Sequence, residues 1–201
     1  MEKPFSQACE NNKEPILGLI RTEFASCRSV LEIGSGTGQH AVHFAAGMPW
    51  LEWCAADRGE NHPGIRAWLA DAALPNLHGP LELDVNERWP EGPFDAVFSA
   101  NTFHIMSWEE VERCIAGMAA VTGERARVAV YGPFKVTGEF TSDSNAAFDA
   151  NLRERDSRMG IRDIEQVERE FERHGLVLHG DFAMPANNRL LFFRREAANH
   201  E

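Results

Sequence analysis

The chain has 201 residues, 43% of them hydrophobic and 25% charged, a length and composition that suit one domain, 1–201, with a sizeable core. Neither a run of roughly 18 apolar residues for a membrane span nor an apolar signal region after Met1-Glu2-Lys3-Pro4-Phe5 is present, so the expectation is a cytoplasmic chain with no membrane partner. The formal net charge of −11 disfavours nucleic acid as a partner and mildly favours a cationic ligand.

Strand and helix alternate almost throughout, the signature of an α/β fold with a doubly wound parallel sheet. Residues 10–25 read as an opening helix with Pro15 in its first turn and Ile16, Leu19 and Ile20 on one face. Ser29 to Ile33 is a strand that runs into Gly34-Ser35-Gly36-Thr37-Gly38, and a helix follows with Ala41, Phe44, Ala45 and Met48 on one face. Leu51 to Ala56 is the next strand, ending at Asp57. Pro63 opens a helix, Leu81 to Leu83 is a short strand ending at Asp84, and Phe94 to Ser99 is a buried strand. Ser107-Trp108-Glu109-Glu110 is a capping box, and Gly123 reads as the end of the helix it opens. Arg127 to Tyr131 is a fifth strand. The stretch 132–160 lacks periodicity and is long for a plain loop, so it reads as a lid-like functional insertion. Asp163 caps a last helix closed by Gly175, and Leu176 to Phe182 pairs with Arg189 to Arg194. The four cysteines, Cys9, Cys27, Cys54 and Cys114, form no CxxC pair and are expected as free thiols.

The glycine turn carries the most information. A strand, a glycine-rich turn and a helix N-terminus gather backbone amides around one small space, and glycine lets both the chain and a ligand approach closely. Alone, the cluster is equally a tight strand–helix turn. Its context is stronger: Asp57 ends the next strand roughly 20 residues on, where a carboxylate accepts from both hydroxyls of a ribose, and Asp84 ends the third strand, within reach of an adenine amine. The dinucleotide fingerprint is GxGxxG, whereas Gly34, Gly36 and Gly38 give GxGxG preceded by Glu32. That pattern resembles motif I of the class I S-adenosylmethionine methyltransferases. The carboxylates suit an adenosine bearing a sulfonium and offer nothing to a pyrophosphate, so S-adenosyl-L-methionine is the expected cofactor and NAD the alternative. Glu32, Gly34, Ser35, Gly36, Gly38, Asp57, Asp84 and Val85 are the candidate cofactor residues, with Glu32 expected to orient the glycine loop.

Four segments extend the resemblance: Asn12-Lys13-Glu14-Pro15-Ile16, Val30 to His40, Ser99 to Trp108, and Tyr131-Gly132-Pro133-Phe134, continued by Asn145, Phe148, Asp149 and Arg155. Together they resemble the methyltransferase-like proteins grouped as domain of unknown function 938, the methyltransferase-like 26 family. This resemblance implies the Rossmann-like class I methyltransferase fold, a seven-stranded, mostly parallel sheet whose last strand is antiparallel. It implies no particular substrate. In this fold class the opening helix, here residues 1–28, covers the cofactor. Asn12 and Lys13 are therefore further cofactor candidates, with Lys13 either a partner of the cofactor carboxylate or simply a solvated lysine.

The acceptor is expected outside the carboxyl ends of strands four and five, where Asn101, His104 and Tyr131 are the catalytic candidates. His104 is the first choice for a base because its ordinary pKa lies near neutrality. Asn101 either holds the acceptor or the cofactor's methionine part, or is a turn residue. Tyr131 either orients the acceptor or is a packed aromatic. His40 and His43 stand at i, i+3 without a Cys or carboxylate companion, so no metal site is expected. A small-molecule acceptor is the leading reading. A protein or peptide acceptor and a non-catalytic S-adenosylmethionine-binding scaffold are the alternatives, and oligomeric state is not legible.

Overall fold

The computed structural model describes residues 3–195; the ends of the expected domain and cover, residues 1–2 and 196–201, lie outside them. The elements run α1 (Gln7–Glu23), β1 (Ser29–Ile33), α2 (Gln39–Gly47), β2 (Glu52–Asp57), α3 (His62–Ala72), β3 (Leu77–Glu82), β4 (Phe94–Ala100), α4 (Trp108–Ala120), β5 (Thr122–Gly132), β6 (Phe134–Val136), β7 (Glu139–Phe140), α5 (Asp143–Arg155), β8 (Arg162–Asp163), α6 (Ile164–Arg173), β9 (Leu176–Met184) and β10 (Asn188–Arg195). Seven strands form one sheet in the order β3-β2-β1-β4-β5-β10-β9. The pairs from β3 through β5 are parallel, and β10 runs antiparallel to both β5 and β9. This is the class I methyltransferase arrangement. No described helix is long and apolar enough to cross a membrane.

Strand alternation explains the two cores. Successive side chains of a strand point to opposite faces, so Val30 joins Ile16, Phe44 and Phe98 under α1 and α2, while Leu31 and Ile33 join Val97, Ile115 and Phe171 under α4 and α6. Both faces are covered, as a parallel sheet requires. The crossover from β1 to β4 places the carboxyl ends of the two strands side by side, and the cleft forms there.

Four expectations need correction. Helix α1 starts at Gln7 because Ser6 caps it, its hydroxyl accepting from the Cys9 amide; Pro15 therefore sits in the helix interior, not its first turn. Strand β3 begins at Leu77, four residues before the expected start, because it is an edge strand and tolerates Pro80. Gly123 does not end α4. The last carbonyls of that helix are satisfied by the Thr122 hydroxyl at Met118 O (2.8 Å) and by Arg195 at Ala119 O (2.7 Å), so the chain needs no glycine cap and Gly123 is already in β5. The stretch 132–160 is no structureless loop. It holds the β6–β7 hairpin and the helix α5, and β8, just beyond the stretch, joins the hairpin in a small sheet of order β7-β6-β8. Periodicity missed α5 because its buried face, Asn145, Asp149 and Leu152, has helical spacing but only one apolar side chain.

Candidate functional site

The glycine turn leaves β1 and is pinned at once. The amides of Gly34 and Ser35 both donate to Ala56 O, at 2.9 and 3.1 Å. The Ser35 hydroxyl donates to Glu32 (2.9 Å) and accepts from the Ala56 amide (3.1 Å), and the Trp53 indole donates to Glu32 (3.1 Å). Glu32 is 2% exposed. Burial pushes its pKa up to about 7, against the pull of the Trp53 and Ser35 donors and with a smaller push from Asp57. Its carboxyl thus braces the turn from behind and stands outside the cavity wall.

Two of the three glycines serve different needs. Gly34, at φ 72°, lies against Thr102: a Cβ there would stand 2.5 Å from the threonine methyl. Gly36, at φ 57°, forms bare cavity wall, and a Cβ there would find nothing closer than 4.0 Å. Gly38 belongs to the packing instead. It precedes α2, is not part of the wall, and a Cβ there would press on Ile65 (3.1 Å) and Trp68 (3.3 Å).

Asp57 ends β2, 8% exposed, on the same wall. One carboxylate oxygen accepts from the Gly36 amide (2.6 Å); the other accepts from the Arg58 amide (2.7 Å) and the Asn61 side chain (2.9 Å). Beyond β3, the Leu83 amide donates to Asp57 O (3.0 Å), which carries Asp84 and Val85 onto the wall. Glu110 also reaches it, with its oxygens held by the Ser107 amide (2.7 Å) and Asn86 (3.2 Å).

The start of α1 folds over the cavity, contributing Ser6, Cys9, Asn11 and Asn12 to the wall. Gln39, at the start of α2, clamps it: its side chain accepts from the Ser6 amide (2.6 Å) and donates to Glu10 (2.8 Å). Asn12 meets the His40 ring at 2.7 Å, and its side chain stands near the Tyr131 hydroxyl, where it helps hold down that group's pKa. Burial lowers His40 to about 4, so the ring is neutral. Lys13 stays outside the wall, pairing with Glu10 at 2.5 Å one turn back. His43 turns to Glu14 (3.4 Å), away from His40.

The opposite end is made by the loop after β4, the end of β5, α5, and the β9–β10 turn. Asn101 adopts the left-handed conformation (φ 59°), its amide donating to Tyr131 O (2.8 Å). The Thr102 hydroxyl meets Ser99 (2.7 Å), which reaches back to Ile33 O (2.9 Å). His104 is 7% exposed and lies edge-on to Phe148 of α5, with centroids 5.2 Å apart. Burial, and then the nearby Arg162 guanidinium, lower it to about 4. The argument from a near-neutral pKa therefore fails for this histidine: desolvation keeps the ring uncharged. Tyr131 is 2% exposed, its pKa raised by burial against a smaller lowering by the Asn188 and Asn12 side chains.

Reading the sequence missed Phe148 as a neighbour of His104, and it missed Arg162. The Arg162 guanidinium is buried and donates to the carbonyls of Phe103, Met106 and Arg158, so it fixes the loop that carries His104. A lone arginine after Gly160-Ile161 gives no sequence signal for such a role. Of the insertion candidates, Asn145 lines the cavity. Asp149 instead accepts from the Ile161 amide (2.7 Å) and pairs with Arg153 (2.7 Å), and Arg155 is exposed.

These walls enclose a single cavity of about 750 Å³, in the size range of small-molecule sites. The family described as "protein of unknown function (DUF938)" matches residues 3–195. The chain belongs to that family. Among solved structures, this DUF938 chain is similar to an O-methyltransferase family protein from Burkholderia thailandensis (15% identity, 92% of this chain and 57% of that one, TM-score 0.82). It is also similar to the mitomycin 7-O-methyltransferase MmcR (20%, 90% and 53%, TM-score 0.78) and to PigF with SAH (15%, 89% and 54%, TM-score 0.77). The DUF938 chain spans about half the length of these structures, and at such identities the likeness is one of fold.

Proposed function

We propose that the protein is an S-adenosylmethionine-dependent methyltransferase acting on a small molecule; its methyltransferase-like 26 resemblance favours the methyltransferase part of this reading and implies no substrate. One observation carries it: the Asp57 carboxylate and the bare Gly36 backbone share one cavity wall and are hydrogen-bonded to each other at 2.6 Å. The donor set fits the group. Carboxylates at Asp57, Asp84 and Glu110, with one guanidinium at Arg58, suit a nucleoside with free hydroxyls and a cationic centre. A pyrophosphate would meet mostly acid there.

Gly34, Ser35, Gly36 and Asp57 would hold the nucleoside, Asp84 and Val85 its base, and Asn12 and Asn101 the remainder. When bound, S-adenosylmethionine supplies an activated methyl carbon on a sulfonium. The chain's own work is then chiefly positioning, which can contribute roughly 7–11 kcal/mol to lowering a barrier. In this reading neutral His104 accepts a hydrogen bond from the acceptor and orients it. Its lowered pKa makes it a weak base at neutral pH, so its expected contribution falls short of the roughly 10²–10⁴-fold of a tuned general base. Tyr131 acts as the anchor of the α1 cover, and α5 with the β6–β7 hairpin as the lid.

Calorimetric titration with S-adenosylmethionine and S-adenosylhomocysteine is the test. Both should bind; no association with either sinks the proposal. Asp57→Ala should weaken both by about 2 kcal/mol, roughly 30-fold. His104→Ala should leave both affinities unchanged and lower kcat/KM once an acceptor is in hand.

A further inference from the structure

Charge is unevenly spread around the cavity. Three of the four Asp, Glu, Lys and Arg residues on its described wall, Asp57, Arg58 and Asp84, lie at the β1–β3 side; the fourth, Glu110 at the start of α4, stands at the border, its carboxylate accepting from Asn86 just beyond β3 and from the Ser107 amide after β4. The wall contributed by the loop after β4, the end of β5, α5 and the β9–β10 turn holds no charged side chain among the described residues. It presents His104, kept neutral by burial, with amides such as Asn101 and Asn145, and apolar groups including Ile105, Met106 and Phe148.

Two of those apolar groups are conspicuous. Ile105 is 47% exposed and Phe148 is 39% exposed, on separate elements facing one cavity. Large apolar side chains left in water at a concave surface gain free energy when an apolar partner covers them. The His104 ring makes no hydrogen bond to another described residue, so it remains free to pair with a guest. Behind it the Arg162 guanidinium is held by three carbonyls and puts fixed positive charge near the ring, which works against a cation there.

We infer that the β4–β5–α5 end of the cavity is a binding site for an uncharged, largely apolar molecule carrying a hydroxyl, which donates to His104 while the apolar body covers Phe148 and Ile105. An ammonium would find no carboxylate within this wall, Glu110 standing only at its border, and would lie near the fixed Arg162 charge behind the His104 ring. A carboxylate or phosphate would find no direct cationic partner, and burying it unpaired is costly. As the identity of a methyl acceptor the inference rests on the methyltransferase reading; as a binding site it does not.

A matched set of probes tests it on the full chain: naphthol, naphthalene, naphthoate and naphthylmethylammonium, each titrated by its own fluorescence with and without S-adenosylhomocysteine. Naphthol should bind at least ~10-fold tighter than either charged probe. Phe148→Ala, at a half-exposed position where folding is expected to survive, should weaken naphthol by roughly 3- to 10-fold. His104→Ala should narrow the gap between naphthol and naphthalene. A charged probe that matches or beats naphthol, naphthol binding untouched by Phe148→Ala, or no binding of naphthol at all would each overturn the inference. Naphthol binding without any S-adenosylhomocysteine binding would support this site and remove the methyltransferase reading; S-adenosylhomocysteine binding with a charged probe preferred would do the reverse.

Discussion

At the β1–β2 end of the cavity the wall is organised by backbone: the start of the glycine turn is pinned to Ala56, and the Asp57 carboxylate is hydrogen-bonded to the Gly36 amide. At the β4–β5 end the wall is side chain, delivered by four separate segments and free of charge. The first plan fixes one ligand shape, because backbone bound within a sheet cannot be retuned without disturbing the fold. The second leaves room for different guests, because the partly exposed Ile105 and Phe148 can change with little cost to the core. On the methyltransferase reading proposed above, the division suits a shared cofactor and a variable acceptor.

The sharpest way to break the first plan is Gly34→Ala. The residue would sit at φ 72° with its Cβ 2.5 Å from the Thr102 methyl, so left-handed strain and overpacking add. The expected cost is about 3–4 kcal/mol of folding stability, read by urea denaturation, with cofactor binding lost. Adding Thr102→Ser keeps the hydroxyl that meets Ser99 and removes the methyl. It should return about half of the loss, and no recovery would mean that the backbone strain alone decides.

The contrast also explains what the sequence could reveal. Glu32, Gly34, Gly36, Asp57 and Asp84 lie on consecutive strand–turn units, so their meeting follows from chain order once the strands are recognised. The capping box at Ser107 and Glu110 forms as its spacing predicts. His104 and Phe148 meet only through tertiary packing, and no local pattern encodes that contact. The helix α5 buries Asn145 and Asp149 where a hydrophobic stripe is normally sought. The His104 pKa is likewise a property of its burial, which residue type alone cannot supply.

Glu32 gives the next largest effect, and it isolates the bracing behind the glycine turn. Its native pKa, about 7, lies above the ordinary 4.5. The folded state therefore holds the proton more tightly, and stability is lost as pH rises from 4.5 through 7. Glu32→Gln keeps a carbonyl acceptor for Ser35 and Trp53 and removes the titration. The variant should gain on the wild type with rising pH, by up to ~3 kcal/mol at pH 8 relative to pH 4.5. His40 and His104, both lowered to about 4, impose the opposite trend below pH 6.5, but equally in both proteins, so the difference between the two curves reports Glu32. Parallel curves would mean that its carboxyl is already ionised in the fold.

Asn12 joins the two halves of the comparison, because it bonds His40 of α2 and stands beside the Tyr131 hydroxyl of β5. Asn12→Ala takes this partner from the buried His40 ring and should cost about 1–2 kcal/mol. Hydrogen exchange should quicken in α1 more than in the sheet. If exchange rises uniformly, Asn12 is a general stabiliser and not the latch of the cover.

The smallest expected effect tests the comparison from its edge. Lys13 has the right sequence position to reach a cofactor carboxylate, yet its ammonium turns to Glu10 at 2.5 Å and does not line the cavity. Partly exposed pairs at i, i+3 contribute little, about 0.2–0.5 kcal/mol. Lys13→Ala should therefore change affinity for S-adenosylhomocysteine by less than about 2-fold and stability by a few tenths of a kcal/mol. A loss of roughly 10-fold or more would mean that the lysine swings from Glu10 to the ligand on binding, and that the backbone-built end of the cavity recruits a mobile charge after all.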